Sequence, residues 1–221
     1  MIYVYSILER QIMIKEYKTI ISNIENEFIE KKSKFISNLF YIDSEDNAKD
    51  RINEIRKKYY DAKHHVFAYV VLNNDTIIEK YTDDGEPAQT AGKPLINLMK
   101  KHKLINVLII VTRYFGGVLL GTGGLSRAYL QSGKLCIENS KIDNYVLANV
   151  VQLTLNYDEL DNIKHFCDKN NITIDNIEYK EFILIKLIIE SERTDDFEKN
   201  IRNLLSRDIK VLVLENKYIK I

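Results

Sequence analysis

The sequence predicts an α+β protein built from two consecutive domains, and three observations carry that prediction. Up to about residue 142, helical and strand-like patterns are mixed without strict βαβ alternation. From Asp143 onward the order becomes strand, helix, two strands, helix, strand, which is the β-α-β-β-α-β run of the ferredoxin-like motif. The third is bulk: 221 residues, 45% of them hydrophobic and 29% charged, suffice for one large domain or two small ones. Residues 13–142 are expected to form the first domain and residues 143–221 the second.

Each element has a local reason. Residues 1–12 read as an extension or a misassigned start, because Met13 opens MIKEYKTI and leads into the first credible strand. EFIEKKSKFISNLFYI, from Glu27 to Ile42, alternates charged and apolar residues and fits an exposed pair of strands or one bent strand. Asp43 and Ser44 offer helix caps, and Ala48, Ile52, Ile55 and Tyr59 recur at helical spacing, so the pattern predicts a helix over 44–60. HHVFAYVVL at 64–72 and TIIEKYT after it flank the turn residues Asn73, Asn74 and Asp75, as a hairpin requires. DDGEPAQTAGKP at 83–94 holds both prolines of the chain and two glycines, marking a structured loop. Leu95, Leu98 and Met99 mark a short helix, INVLIIVTRY a buried strand, and Leu125 to Asn139 a second helix. In the second domain VVQLTLNY, ITIDNIEYKEFILIKLIIE and IKVLVLENKYIKI supply four strands, with DELDNIKHFCDKNN and RTDDFEKNIRNLLSRD as helices.

The most unusual stretch is VTRYFGGVLLGTGGLSRAY, residues 111–129, which holds five of the eight glycines in the chain. A strand ending at Gly116 and Gly117, followed by a helix after Gly121, Gly123 and Gly124, would leave backbone amides converging at a helix N-terminus, a setting that favours an anion. Arg113 and Arg127 flank the stretch and could add bidentate contacts to the same anion. Tyr114, Phe115 and Tyr129 offer aromatic faces on which a base could stack, and Lys93 adds a further cation. The nucleotide fingerprints fail: Ser126 stands where a dinucleotide motif needs its third glycine, and no Gly-Lys-Ser or Gly-Lys-Thr occurs. Ala128 likewise denies Ser126 a nucleophile elbow. The competing reading of the glycines is close strand-to-helix packing.

Charge is neutral overall, with 32 basic and 32 acidic residues, yet it is unevenly spread. From Pro87 to Ile137 there is no Asp or Glu, while Lys93, Lys100, Lys101, Lys103, Arg113, Arg127 and Lys134 supply seven positive charges. From Asp143 to Ile221 fifteen acids face eleven bases. The Lys31-Lys32-Ser33-Lys34 run could extend a phosphate-tracking surface from the basic half. Beside it, Asp83, Asp84 and Glu86 form an acidic cluster which, with His64, could act as acid and base or hold a cation; the alternative is turn chemistry, with Asp side chains capping amides and Gly85 at positive φ. His64 and His65 open a strand and point to opposite faces, so they cannot share a metal. No metal and no cofactor is expected. Cys136 and Cys167 lack metal-ligand spacing and read as reduced, structural residues. The longest apolar run is far short of the roughly 20 residues that span a bilayer, and no signal peptide is evident, so a cytoplasmic protein without a membrane partner is expected.

Three ordered segments, Ala62-Lys63-His64-His65-Val66-Phe67-Ala68-Tyr69, DDGEPAQTAGKPLI and VTRYFGGVLLGTGGLSRAY, resemble the signature segments of the IMPACT family, and the whole chain resembles its bacterial two-domain form. The departures are Lys63 and His65 where Thr and Asn are common, and Ala88-Gln89 where Ser-Gly is usual. The resemblance implies a first domain with the fold of the second domain of a small-subunit ribosomal protein, then a ferredoxin-like domain, together similar to the last two domains of elongation factor G. It implies work on RNA or the ribosome. Eukaryotic relatives restrain a starvation-sensing kinase through an additional N-terminal module, and that activity is not expected to transfer. The reading that results is a non-enzymatic RNA- or ribosome-associated protein with a role in regulating translation. Its expected contacts are Lys93, Arg113, Tyr114, Gly116, Gly117, Gly121, Gly123, Gly124 and Arg127. The alternatives are a metabolite hydrolase using Asp83, Asp84, Glu86 and His64 around the anion site, and a docking module whose acidic second domain binds a protein partner.

Overall fold

A strand whose consecutive side chains are all apolar must be covered on both faces, because successive side chains point to opposite sides. Val107 to Val111 obey this: all five are 0% exposed. In the computed structural model, which describes residues 14–73 and 76–221, they lie on the central strand of a five-stranded antiparallel sheet. The expected 1–12 extension, the start at Met13 and the Asn74 and Asp75 part of the expected turn lie outside the described residues.

The chain divides into two units, the first ending at Asn144 and the second running from Tyr145 to Ile221. The first unit contains β1 (Glu16–Ile20), β2 (Ile24–Glu30), β3 (Ser33–Tyr41), α1 (Glu45–Lys58), β4 (His64–Asn73), β5 (Thr76–Thr82), α2 (Gly92–Lys101), β6 (Val107–Tyr114) and α3 (Gly121–Glu138). Its sheet has the order β2-β3-β6-β4-β5. Helix α1 covers one face, packing Ala48, Ile52 and Ile55 onto Phe40, Tyr69, Leu108 and Ile110. Helices α2 and α3 cover the other, and Ser132 of α3 hydrogen-bonds Ser37 of β3 there. β1 runs beside residues 103–105, the Lys18 amide donating to the Lys103 carbonyl and the Ile105 amide to the Lys18 carbonyl, each at 2.9 Å.

Three expectations need correction. The segment after Glu27 forms a hairpin of two strands, but β3 is not exposed: Ser33 to Phe40 are almost all buried, because α1 and α3 cover its two sides. The hairpin turns through Lys31 and Lys32 at φ 45° and 66°, the two left-handed residues that a two-residue turn between twisted strands demands. Helix α3 begins at Gly121, four residues before Leu125, so the GTGG run is its first turn. The strand expected as VVQLTLNY also starts earlier, at Ile142, eight residues before Val150. Ser44 caps α1, its Oγ accepting from the Asn47 amide at 3.2 Å, and acids open that helix while bases close it.

The second unit contains β7 (Ile142–Leu155), α4 (Leu160–Lys169), β8 (Thr173–Tyr179), β9 (Ile183–Glu190), α5 (Thr194–Leu205) and β10 (Leu212–Lys220). Its strands lie in the order β10-β7-β9-β8 with all neighbours antiparallel. Numbered within the unit this is 4-1-3-2, the order of a ferredoxin-like split βαβ pair. α4 and α5 cover one face through Ile163, Cys167, Phe197 and Ile201. Both cysteines are free and buried, and burial pushes the thiol of Cys136 up to about 12 and that of Cys167 up to about 11, so both stay protonated and unreactive. Among the described residues no helix is long and apolar enough to cross a membrane.

The spacing of α2 against α3 is set by Gly133, where an added Cβ would lie 2.7 Å from Leu95 Cδ2 and 3.2 Å from Leu98 Cδ2. Gly133→Val is expected to destabilise the protein by about 1–3 kcal/mol through overpacking, measured as a lower urea midpoint at unchanged slope.

Candidate nucleic-acid interface

The loop between β5 and α2 is built by its acids. Asp83 accepts three backbone amides, those of Gln89 at 2.7 Å, Ala91 at 2.9 Å and Gly92 at 2.8 Å, and so caps the N-terminus of α2, whose own first turn carries no acid. Asp84, at φ 44°, accepts the His65 amide at 2.6 Å and pairs with Arg56 at 3.1 Å, while its carbonyl meets His64 Nδ1 at 2.8 Å. Gly85 follows at φ 88°. Glu86 turns inward. Its Oε1 accepts from Arg113 Nη1 at 2.7 Å and from the Tyr129 hydroxyl at 2.8 Å, with Arg113 and Glu86 side chains only 7% and 4% exposed. Burial, reinforced by Glu86, pushes the Tyr129 hydroxyl well above the ordinary tyrosine range. The trio Asp83, Asp84 and Glu86 is therefore turn and core chemistry. Among the described residues no three His, Cys, Asp or Glu side chains are grouped as metal ligands.

Arg113 is enclosed, with its Nε buried and without a hydrogen-bond partner among the described residues. Its guanidinium lies 5.5 Å from the Phe35 ring centre and 5.7 Å from that of Phe115, and Nη2 reaches Ser33 Oγ at 3.5 Å. Tyr129 meets Phe35 edge-on at 5.2 Å. Arg113 is thus buried and engaged by Glu86, whereas Arg127 is exposed on α3, so Arg113 is not free to join Arg127 on a solvent anion. Tyr114, one residue on, faces the opposite side of the sheet, where its hydroxyl donates to Asp61 at 2.7 Å and is pushed up to about 12 by that hydrogen bond.

The glycines divide between two roles. Gly116 lets the loop lie directly on the β2–β3 turn: an added Cβ would come within 2.0 Å of the Lys32 carbonyl carbon, and the Gly116 amide donates to Ser33 Oγ at 3.2 Å. Gly117 and Gly121 take φ 83° and 68°, and Gly121 and Gly123 stand exposed on the first turn of α3, which has no side-chain cap and no acid. Arg127 folds back over this turn, its Nη1 3.7 Å from the position a Gly123 Cβ would occupy.

A groove of about 720 Å³ follows this side of α3. Lys31 from the turn, Lys101 and His102 from the end of α2, and Gly124, Arg127 and Lys134 from α3 all line it, with Glu30 as its single carboxylate. Lys134 has Glu138 at 3.4 Å; Lys31, Lys101 and Arg127 have no carboxylate partner among the described residues. Of the expected contacts, Gly124 and Arg127 lie in the groove. Lys93 lies outside its lining and hydrogen-bonds Gln89 at 2.9 Å, Gly116 is given to packing, and Arg113 and Tyr114 lie elsewhere. Lys101 and Lys134 were visible in the sequence only as members of an acid-free window, and Lys31 only as part of a lysine run.

Fold and groove define a class: a two-unit α+β protein in which the first unit carries a cation-lined cleft and the second is a four-stranded antiparallel sheet backed by two helices. Comparison with known proteins gives the particular family. Residues 31–137 match the family described as the Impact N-terminal domain, and residues 153–206 match a domain of unknown function, DUF1949. IMPACT family member YvyE of Bacillus subtilis is 33% identical over 187 residues, covering 85% of this chain and 86% of its own. IMPACT family member YigZ of Escherichia coli is 29% identical over 186 residues, covering 84% and 91%. A solved crystal structure of a hypothetical protein, 26% identical, superposes with a TM-score of 0.58 over 91% of this chain and 98% of that one. The chain belongs to the IMPACT family.

Two measurements test the architecture of the site. Glu86→Ala leaves Arg113 charged and buried, and is expected to cost about 3–5 kcal/mol of stability, whereas Glu86→Leu with Arg113→Met recovers most of the loss; urea titration of both variants checks this. His65 is buried, with Nδ1 3.1 Å from Thr112 Oγ1, and burial is the largest influence on it, lowering its proton affinity in the folded state. A lowered histidine pKa means that the unfolded chain binds the extra proton, so stability is present above the unfolded value near 6.5 and is lost as pH falls below it. The urea midpoint is expected to fall from pH 7 to pH 5, and less steeply in His65→Gln.

Proposed function

We propose that this protein binds RNA, free or within the ribosome, through the α2–α3 groove of its first unit, and that it acts non-enzymatically in regulating translation. One observation carries the reading: Lys31, Lys101 and Arg127 line one cleft without carboxylate partners among the described residues. Most other cations of the unit are paired, among them Lys34, Arg56, Lys58, Lys80, Lys100 and Lys103. Cations kept apart from acids hold their field for a polyanion. The open first turn of α3 adds its positive end beside Arg127. Family membership agrees, since the IMPACT signature segments build this unit. The hydrolase alternative draws no support from the acidic loop, whose carboxylates are engaged by amides, Arg56, Arg113 and Tyr129.

The test is binding of purified protein to ribosomes and to single-stranded RNA across a salt series. Affinity is expected to fall steeply with salt, with a log-log slope of about −0.7 per phosphate contact, and Arg127→Ala with Lys101→Ala is expected to weaken binding and flatten the slope by about 1.4. Binding that ignores salt, or that survives the double substitution unchanged, overturns the proposal.

A further inference from the structure

Between β6 and α3 the loop at residues 115–120 shows water an apolar surface that the fold does not use. Phe115 is 56% exposed, Val118 42% and Leu119 84%. An unburied Phe, Val and Leu in six residues is unusual beside so cationic a cleft, and the loop is fixed to that cleft at both ends. Gly116 seats it on the Lys32 backbone, while Leu120 and Lys31 line the groove itself. The Phe115 ring is also held from within: the buried Arg113 guanidinium lies 5.7 Å from its centre, and Arg113 is fixed by Glu86 and Phe35. A ring that is 56% exposed and has a buried, hydrogen-bonded guanidinium beside it is placed to stack, because ordering it on binding costs little side-chain entropy.

Resting on the RNA reading of the groove, we infer that Phe115 is a stacking platform for an unpaired base, and that the groove takes single-stranded RNA in preference to duplex. Aromatic faces reach bases only where these are unstacked, since A-form duplex hides base faces within the stack. The cations that line the groove, Lys31, Lys101, Arg127 and Lys134, then contact phosphates of the same strand. Val118 and Leu119 flank the platform with apolar surface. Charge complementarity selects this occupant over an apolar protein partner: Lys31, beside the loop, and Arg127 and Lys101 in the same groove have no carboxylate partner among the described residues, against one carboxylate, Glu30, in the lining.

The experiment measures fluorescence anisotropy of labelled oligouridine of about 12 nucleotides and of an RNA duplex of equal length, at one ionic strength and then across a salt series. Wild type is expected to favour the single strand. Phe115→Ala is expected to weaken single-strand binding about tenfold, leaving the duplex affinity and the salt slope unchanged, since no ionic contact is removed. Phe115→Trp, which retains a π-face, is expected to bind like wild type, and Phe115→Leu, which retains only apolar area, to behave like the alanine variant. Equal losses on both probes, or full binding by Phe115→Leu, overturn the platform and turn the loop into an apolar contact for a protein. Salt-sensitive single-strand binding that falls in Arg127→Ala but ignores every change at Phe115 overturns the platform and leaves the groove reading standing. Failure of wild type to bind either probe overturns both.

Discussion

The buried pair between Glu86 and Arg113 is the constraint around which the first unit is arranged. Two charges taken out of water incur a large desolvation cost, which their attraction offsets only if geometry and further hydrogen bonds are good. Here Tyr129 donates a second hydrogen bond to the same carboxylate oxygen, and Phe35 and Phe115 lie on the guanidinium. The pair thereby ties the β5–α2 loop to the end of β6, to β3 and to the interior of α3. Asp83 acts in the same loop, holding the start of α2 by three amides. One short acidic segment thus fixes where both helices of that face sit.

That arrangement also explains the electrostatics of the surface. The segment from Pro87 to Ile137 contains no acid, and the carboxylate immediately before it, Glu86, is buried under α3. Of the bases on α2 and α3, Lys100 and Lys134 meet Glu79 and Glu138, while Lys101 and Arg127 have no carboxylate partner among the described residues. Lys31 and Lys32 join from the β2–β3 turn, held in left-handed backbone by the twist of the hairpin and by Gly116 lying against Lys32. The two acids of the β5–α2 loop that could reach this surface are engaged elsewhere, Asp83 by three amides and Glu86 by the buried Arg113.

Much of this was legible in the sequence because it rests on short-range rules. Ser44 as a cap, the apolar run of β6 and the strand and helix order after Asn144 follow from capping and periodicity, and that cap, run and order are observed. The turn chemistry of Asp83, Asp84 and Gly85 was also readable, as one of two alternatives. What escaped depended on partners distant in sequence. Arg113 reads as a phosphate ligand until Glu86, 27 residues earlier, is found beneath it. Tyr114 is different: strand alternation alone sends it to the face opposite Arg113, so that signal was present and could have separated the two. The start of α3 was hidden because glycine is a poor helix former, so GTGG carries no helical signal of its own. The groove could not be read at all, since Lys31, Lys101 and Arg127 are joined only by the crossing of a turn and two helices.

The positions of charge and glycine also bear on what kind of activity this scaffold can support. A general base needs a lone pair free to take a proton within reach of a substrate, yet the oxygens of Asp83 are directed at the amides that start α2, and Glu86 oxygen is directed at Arg113 and Tyr129. Withdrawing either carboxylate for chemistry would release a helix or strand a buried cation, so the acids that look most reactive in the sequence are those the fold can least spare. The cations of the groove are the reverse. Lys31, Lys101 and Arg127 stabilise nothing by pairing, and mutual repulsion makes their gathering unfavourable on its own. Within the loop and the groove the contrast holds: Asp83 and Glu86 are engaged by amides, Arg113 and Tyr129, while Lys31, Lys101 and Arg127 line the groove without a carboxylate partner among the described residues.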